Sequence, residues 1–322
     1  MQFKPIAIFG AAALCALSLS AAHAAYPEPG TPIRIVVGFP PGGGADVLAR
    51  AAALGVSKAL NANVMVDNRP GASGIIATDY VARSKPDGYT LYVATPGSLT
   101  ILPSLQKVPY DPAKDFTPIS LLVTMPNVLV TSPNSGIHSI KDLIARAKSG
   151  KDITYASGGN GTIGQMAAEQ FNMMAGVHMR HIPYKGTTPA LTDVAGGLVE
   201  VTFSDPSVKS LVQSGKLKAL GVTTAEPSDE FPGAPPIGKD GIPGYELTNW
   251  YGVIAPAGVP SDIVEKLNHA FAQAMANPDI VKQLAASGMT ATSDTSAQFG
   301  DLMTKERAKW AELVKKAGIR LD

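Results

Sequence analysis

Thiols are almost missing from this chain: its one cysteine, Cys15, sits inside an apolar N-terminal segment. With that segment removed, no disulfide, CxxC redox pair, thiolate nucleophile or thiolate metal site can form, so the fold rests on packing. Charge is also scarce, at 16% of residues against 45% hydrophobic. Without Lys4, 26 basic residues balance 26 acidic ones. That balance leaves no basic field for nucleic acid or an anionic membrane. Catalytic groupings are lacking too. Gly71-Ala72-Ser73-Gly74 does not have the GxSxG spacing of a nucleophile elbow, and no other serine supplies it. His178 and His181, three apart on a predicted strand, face opposite sides and make a poor chelating pair. His138 and His269 have no evident acid partner. No catalytic residue, metal site or cofactor is assigned.

What is present begins with an export signal over residues 1–24. Lys4 supplies the charged start, Ile6 to Leu19 the apolar run, and Ala22-His23-Ala24 a small-x-small cleavage site. The run is shorter than the roughly 20 residues needed to span a bilayer. Leu14 before Cys15 argues against a lipoprotein anchor, since that position wants a small residue.

The 322 residues exceed the roughly 150 of one domain, which predicts two lobes. Apolar runs and amphipathic stretches then alternate. Ile33 to Val37 reads as a buried strand, Val47 to Leu60 as a helix, Val64 to Val66 as a strand, Ile75 to Arg83 as a helix and Tyr89 to Ala94 as a strand. A crossing at Met125-Pro126 opens a second series from Val128 to Val222, and a Pro- and Gly-rich connection leads to a returning strand at Trp250 to Ala255. Helices finish the chain. The fold class expected is α/β and two-lobed, each lobe a mostly parallel sheet flanked by helices, with a ligand cleft between. Residues 25–124 plus 250–322 form lobe 1 in this reading and residues 125–249 form lobe 2.

In open α/β sheets, ligands bind where strands end and helices begin. Those turns are rich in glycine here. Gly38-Phe39-Pro40-Pro41-Gly42-Gly43-Gly44-Ala45-Asp46 follows the first strand, Arg69-Pro70-Gly71-Ala72-Ser73-Gly74 the second and Thr95-Pro96-Gly97-Ser98 the third. Glycines permit close backbone approach, and free N–H groups at a helix N-terminus suit a carboxylate or phosphate. Asp46 also reads as a helix cap, and Arg69 as a partner either of an anion or of Asp67. In the second lobe, Ser157-Gly158-Gly159-Asn160-Gly161-Thr162 recurs in the same position. Gly159, Gly161 and Gly164 match the GxGxxG of dinucleotide sites, yet Arg180-His181-Ile182-Pro183 stands where an acidic residue is wanted. A bare turn capped by Thr162 is the other reading. Tyr184 could wall the pocket. Asp205 could accept from a ligand amine or hydroxyl, orient a water, or cap the next helix.

At these turns the chain resembles the solute-binding receptors of tripartite tricarboxylate transporters, the Bug family. The likeness rests on Ile35-Val36-Val37-Gly38-Phe39-Pro40-Pro41-Gly42-Gly43, Val66-Asp67-Asn68-Arg69-Pro70-Gly71-Ala72, Pro86-Asp87-Gly88-Tyr89-Thr90-Leu91, Asn160-Gly161-Thr162, Pro183-Tyr184-Lys185-Gly186, Gly215-Lys216-Leu217-Lys218-Ala219-Leu220 and Ala255-Pro256-Ala257-Gly258-Val259-Pro260. It implies a monomeric periplasmic receptor that closes like a hinge on a small carboxylate. The ligand would be a di- or tricarboxylate, an acidic amino acid or an aromatic acid, delivered to an inner-membrane permease of one small and one large subunit. Phe39, Gly43, Gly44 and Ala45 would grip the carboxylate. The expected site adds Asp46, Ser73, Gly74 and Thr95 from the first lobe and Asn160, Gly161, Thr162, Tyr184 and Asp205 from the second. Docking on a membrane sensor kinase is an alternative role, and an exported α/β enzyme a remoter one.

Overall fold

The structure, a computed structural model, describes residues 26–319. The export signal assigned to residues 1–24 lies outside them. The elements run β1 (Ile33–Val37), α1 (Gly44–Leu60), β2 (Val64–Asn68), α2 (Ile75–Ala82), β3 (Thr90–Ala94), α3 (Leu102–Leu105), β4 (Phe116–Pro126), β5 (Val128–Thr131), α4 (Ile140–Lys148) and β6 (Thr154–Ser157). They continue with α5 (Ile163–Ala175), β7 (Arg180–Pro183), α6 (Thr187–Ala195), β8 (Val201–Ser204), α7 (Lys209–Gln213), β9 (Lys218–Val222) and β10 (Thr248–Pro256). The last elements are α8 (Ser261–Ala276), α9 (Pro278–Ala286), β11 (Thr290–Ala291) and α10 (Ser296–Ala317).

Two sheets result, ordered β11-β4-β10-β3-β1-β2 and β7-β6-β8-β5-β9. The two-lobed α/β fold is as expected, but the sheets are mixed rather than mostly parallel. β1 pairs parallel with β2 and β3, and β6 with β7 and β8, as the local strand–helix order requires. β10 runs antiparallel to both β3 and β4, and β5 antiparallel to β8 and β9. The cause is the crossing. The chain leaves the first sheet along β4, passes Asn127 and continues into β5, so the strand that brings it back must run against the one by which it left. Periodicity carries no sign of strand direction.

The C-terminal helix joins the halves. Thr295 and Gln298 form a reciprocal capping box at its start. Phe299 and Met303 pack with Tyr92 and Trp250 under the first sheet, while Trp310 and Val314 join Tyr155, Phe171 and Tyr245 in the core of the second. The helix comes close because Gly252 has no side chain: a Cβ there would lie 2.2 Å from Phe299 Cζ. Two short elements have no sequence signal, β11 and the wide helical turn over Gly97–Ile101 that leads into α3.

Candidate functional site

The loop from Phe39 to Asp46 is braced by one carboxylate. Asp46 Oδ2 accepts from Gly42 N (3.0 Å) and Arg50 Nε (2.9 Å), and Oδ1 accepts from Arg50 Nη2 (3.0 Å) and Asn68 Nδ2 (2.9 Å). Asn68 Nδ2 also donates to Phe39 O at 3.1 Å. Asp46, expected among the ligand groups, is thus spent on holding the turn. Burial alone would raise its carboxyl, but the bonds from Arg50, Gly42 and Asn68 and the charge of Arg50 hold it below the ordinary aspartate value. The unfolded chain therefore binds this proton more readily than the fold. The resulting stability is present in full above about pH 4 and is lost as pH falls through the lower folded value. Asp46→Asn is expected to cost about 1–3 kcal/mol at pH 7, and its gap from the parent protein in urea melts is expected to shrink at pH 3. A pH-independent gap would show that the charge does not matter.

With its side-chain acceptor committed to Gly42, α1 starts uncapped: Gly43 is its N-cap, and no side chain bonds the first-turn N–H groups. α5 and α6 start the same way, from Thr162 and Gly186. Thr162 does not cap its helix, because its hydroxyl donates to Gly159 O at 2.8 Å. Elsewhere on the molecule α4, α9 and α10 are capped by Ser139, Asn277 and Thr295, whereas α2 and α8 also start without a side-chain cap. The uncapped ends of α1, α5 and α6 converge on one inner cavity of about 70 Å³ between the sheets. Each carries roughly half a positive charge from its helix dipole. No Lys or Arg lines this cavity; Asp205 and Tyr251 are its ionisable groups.

Phe39, Gly43, Gly44, Ala45, Thr95, Thr162 and Asp205, all expected from sequence, meet in this inner cavity. Ser73, Asn160 and Tyr184 line a larger outer one that shares Phe39, Pro40 and Gly158 with it. Tyr184 is fixed by donating to Asp193 Oδ2 at 2.6 Å. Gly74 and Gly161 line neither cavity. Gly161 shapes the turn at φ +70°, donating its N–H to Gln165 Oε1 at 2.6 Å. Arg69 is structural, 2.8 Å from Asp67 and stacked 3.7 Å above the Tyr80 ring.

Asp205 divides its carboxylate. Oδ1 accepts from Ser207 N at 3.0 Å and from Ser207 Oγ, capping the next turn, while Oδ2 accepts from Tyr251 OH at 3.1 Å. Burial, reinforced by Asp205, pushes the Tyr251 phenol well above its ordinary value, so it stays a donor. The glycine turns of the two lobes touch around this point. A Cβ on Gly44 would lie 2.9 Å from Asp205 Oδ2, one on Gly97 3.2 Å from Gly161 O, and one on Gly159 2.6 Å from Ser73 Oγ.

Sequence reasoning misses Asn127, Phe203 and Tyr251, all of which line the inner cavity. Asn127 lies at the crossing between sheets and is 1% exposed. Its N–H donates to Thr223 Oγ1 (2.8 Å) and its Nδ2 to Phe203 O (3.2 Å). The Phe203 contact orients the amide and leaves Oδ1 without a partner, as is Thr95 Oγ1. Buried polar atoms are rarely left unpaired, and both of these residues line one cavity. Asn127 has one local signal, its place next to Pro126 at the lobe crossing.

His181 stacks on Tyr155 at 4.8 Å and bonds Ser157 Oγ at 2.6 Å, and burial pushes it down to about 4. It is a neutral structural group. His178 precedes β7 instead of sharing a strand with it. Gly159 and Gly161 do lie between β6 and α5, but Gly164 is inside α5 and serves packing: a Cβ there would be 2.6 Å from Phe203 O. Among the described residues no His, Cys, Asp and Glu cluster could hold a metal ion, and no helix is long and apolar enough to cross a membrane.

Two α/β lobes closing helix N-termini around an interior cavity define a solute-binding receptor. The profile described as "Tripartite tricarboxylate transporter family receptor" matches residues 48–319, and the chain belongs to this family of periplasmic receptors. It is 34% identical over 300 residues to Protein BugT of Bordetella pertussis strain Tohama I, covering 91% of each chain. It is similar to the solved structure of R. palustris Rpa4515 with adipate, at 34% identity and a TM-score of 0.87, covering 91% of this chain and 99% of that one. MatC (Rpa3494) from Rhodopseudomonas palustris with bound malate is similar at 29% identity and a TM-score of 0.85, covering 89% and 99%. The family is one of solute receptors, not enzymes, which removes the catalytic alternative.

Proposed function

We propose that this receptor captures a small organic carboxylate in the inner cavity, in the periplasm, and presents it to a membrane permease of one small and one large subunit. The carrying observation is the meeting of three uncapped helix N-termini in a cavity without Lys or Arg. Such a site holds a carboxylate by backbone N–H groups and helix dipoles, and so needs no basic side chain. The unpartnered Thr95 hydroxyl and Asn127 carbonyl add side-chain contacts. Adipate and malate, bound by the two similar structures, support the ligand class. The two bodies that close are the lobes read from the sequence, residues 25–124 with 250–322 and residues 125–249, except that α10 packs on both; they turn about Asn127 and the start of β10.

A thermal-shift panel of mono-, di- and tricarboxylates, acidic amino acids and aromatic acids tests this. A ligand at 100 times its dissociation constant is expected to add about 2.7 kcal/mol of stability. No response from any organic acid would end the carboxylate reading.

A further inference from the structure

A carboxylate site does not ordinarily place a carboxylate of its own at the anion-binding end. Asp205 is 8% exposed and lines the inner cavity. Its Oδ2 faces the first residue of α1, close enough that a Cβ on Gly44 would touch it. Its partners are neutral donors, Ser207 and Tyr251, and no basic side chain lies within ion-pair distance of it among the described residues. A ligand carboxylate seated on the α1 N–H groups therefore comes close to a second negative charge in a desolvated space. Like charges at that range repel, and a buried charge is tolerated when it gains an opposite one.

The rest of the acceptor set points the same way. Asn127 Oδ1 can only accept, since Phe203 O takes the amide N–H₂ on the other side. The cavity thus sets two acceptors, Asp205 and Asn127, among the donors of the helix N-termini. A plain dicarboxylate matches those donors but is repelled by Asp205 beside them.

We infer that the ligand carries an ammonium group beside its carboxylate, and that Asp205 is the specificity-determining residue that receives this ammonium, with Asn127 Oδ1 as a further acceptor. This inference rests on the carboxylate reading above. It names a zwitterion, of the amino-acid class, as the ligand.

Isothermal titration of the receptor with the protein amino acids, and with the deaminated acid of each, measures the claim at pH 7. At least one amino acid is expected to bind about tenfold or more tightly than its deaminated counterpart. In Asp205→Asn that ratio is expected to fall to about twofold. Plain acids binding as well as the amino acids in the parent protein would overturn the inference while leaving the carboxylate reading intact. Silence from both series would overturn both. The hydroxy acids separate charge from simple donation: malate binding as tightly as aspartate would mean that Asp205 takes a neutral donor, and the ammonium claim would fall. The parent protein alone decides these outcomes, so none depends on the folding of Asp205→Asn.

Discussion

Gly44→Ala is expected to lower ligand affinity by about ten- to a hundredfold while leaving each lobe folded. The added Cβ would lie 2.9 Å from Asp205 Oδ2 and 3.2 Å from its Cγ. That carboxylate cannot swing aside freely, because Ser207 and Tyr251 hold both of its oxygens. Overpacking of this kind costs about 1–3 kcal/mol, and each 1.4 kcal/mol is tenfold in affinity. The clash exists only when the lobes meet, so the strain falls on closure and not on the isolated fold. Calorimetry reads the affinity, and small-angle scattering reads the wider mean separation of the lobes. Gly43→Ala is the control for the fold: its Cβ meets nothing nearer than Pro40 O at 4.0 Å, and its φ of −81° is open to any residue, so the melting temperature without ligand is expected to stay unchanged. Unaltered affinity in Gly44→Ala would separate Asp205 from the α1 terminus in the bound state.

Trp310→Ala is expected to destabilise the protein by about 3–5 kcal/mol, the range for removing a buried aromatic. Trp310 is fully buried against the core of the second lobe, and its indole N–H donates to Glu306 Oε2 at 2.8 Å. The first turns of its helix pack under the first sheet through Phe299. The loss should therefore appear in urea unfolding as a weakened second lobe, with the first remaining longer in the transition. A change below about 1 kcal/mol would be a surface value and would show that the end of α10 does not dock there in solution.

Much of the site is legible in the sequence. Gly43, Gly44 and Ala45 reach the inner cavity because a glycine run between a buried strand and an amphipathic helix leaves first-turn N–H groups free, a purely local consequence of backbone geometry. Thr95, Thr162 and Asp205 follow from the same strand-end rule. Asp46 reads locally as a ligand group or as a cap, and neither role describes it. Its partners include Asn68 from the next strand, which a local rule cannot place. Asn127 and Tyr251 have no motif, since each matters through what lies opposite: Tyr251 meets Asp205 only because β10 returns into the first sheet. The mixed strand directions escape a local reading for the same reason.

The sequence by itself determined the alternation of strands and helices, the glycine turns and the shortage of charge, because these follow from side-chain periodicity and backbone sterics over a few residues. It also favoured backbone groups as the holders of an anion, since the turns Phe39 to Asp46, Thr95 to Ser98 and Ser157 to Thr162 contain no basic residue. Only the tertiary structure decided which turns face each other, which polar atoms go unpartnered and where a buried aspartate meets a helix N-terminus. Those are contacts between residues far apart along the chain, made when two lobes close on a shared cavity, and no local preference encodes them.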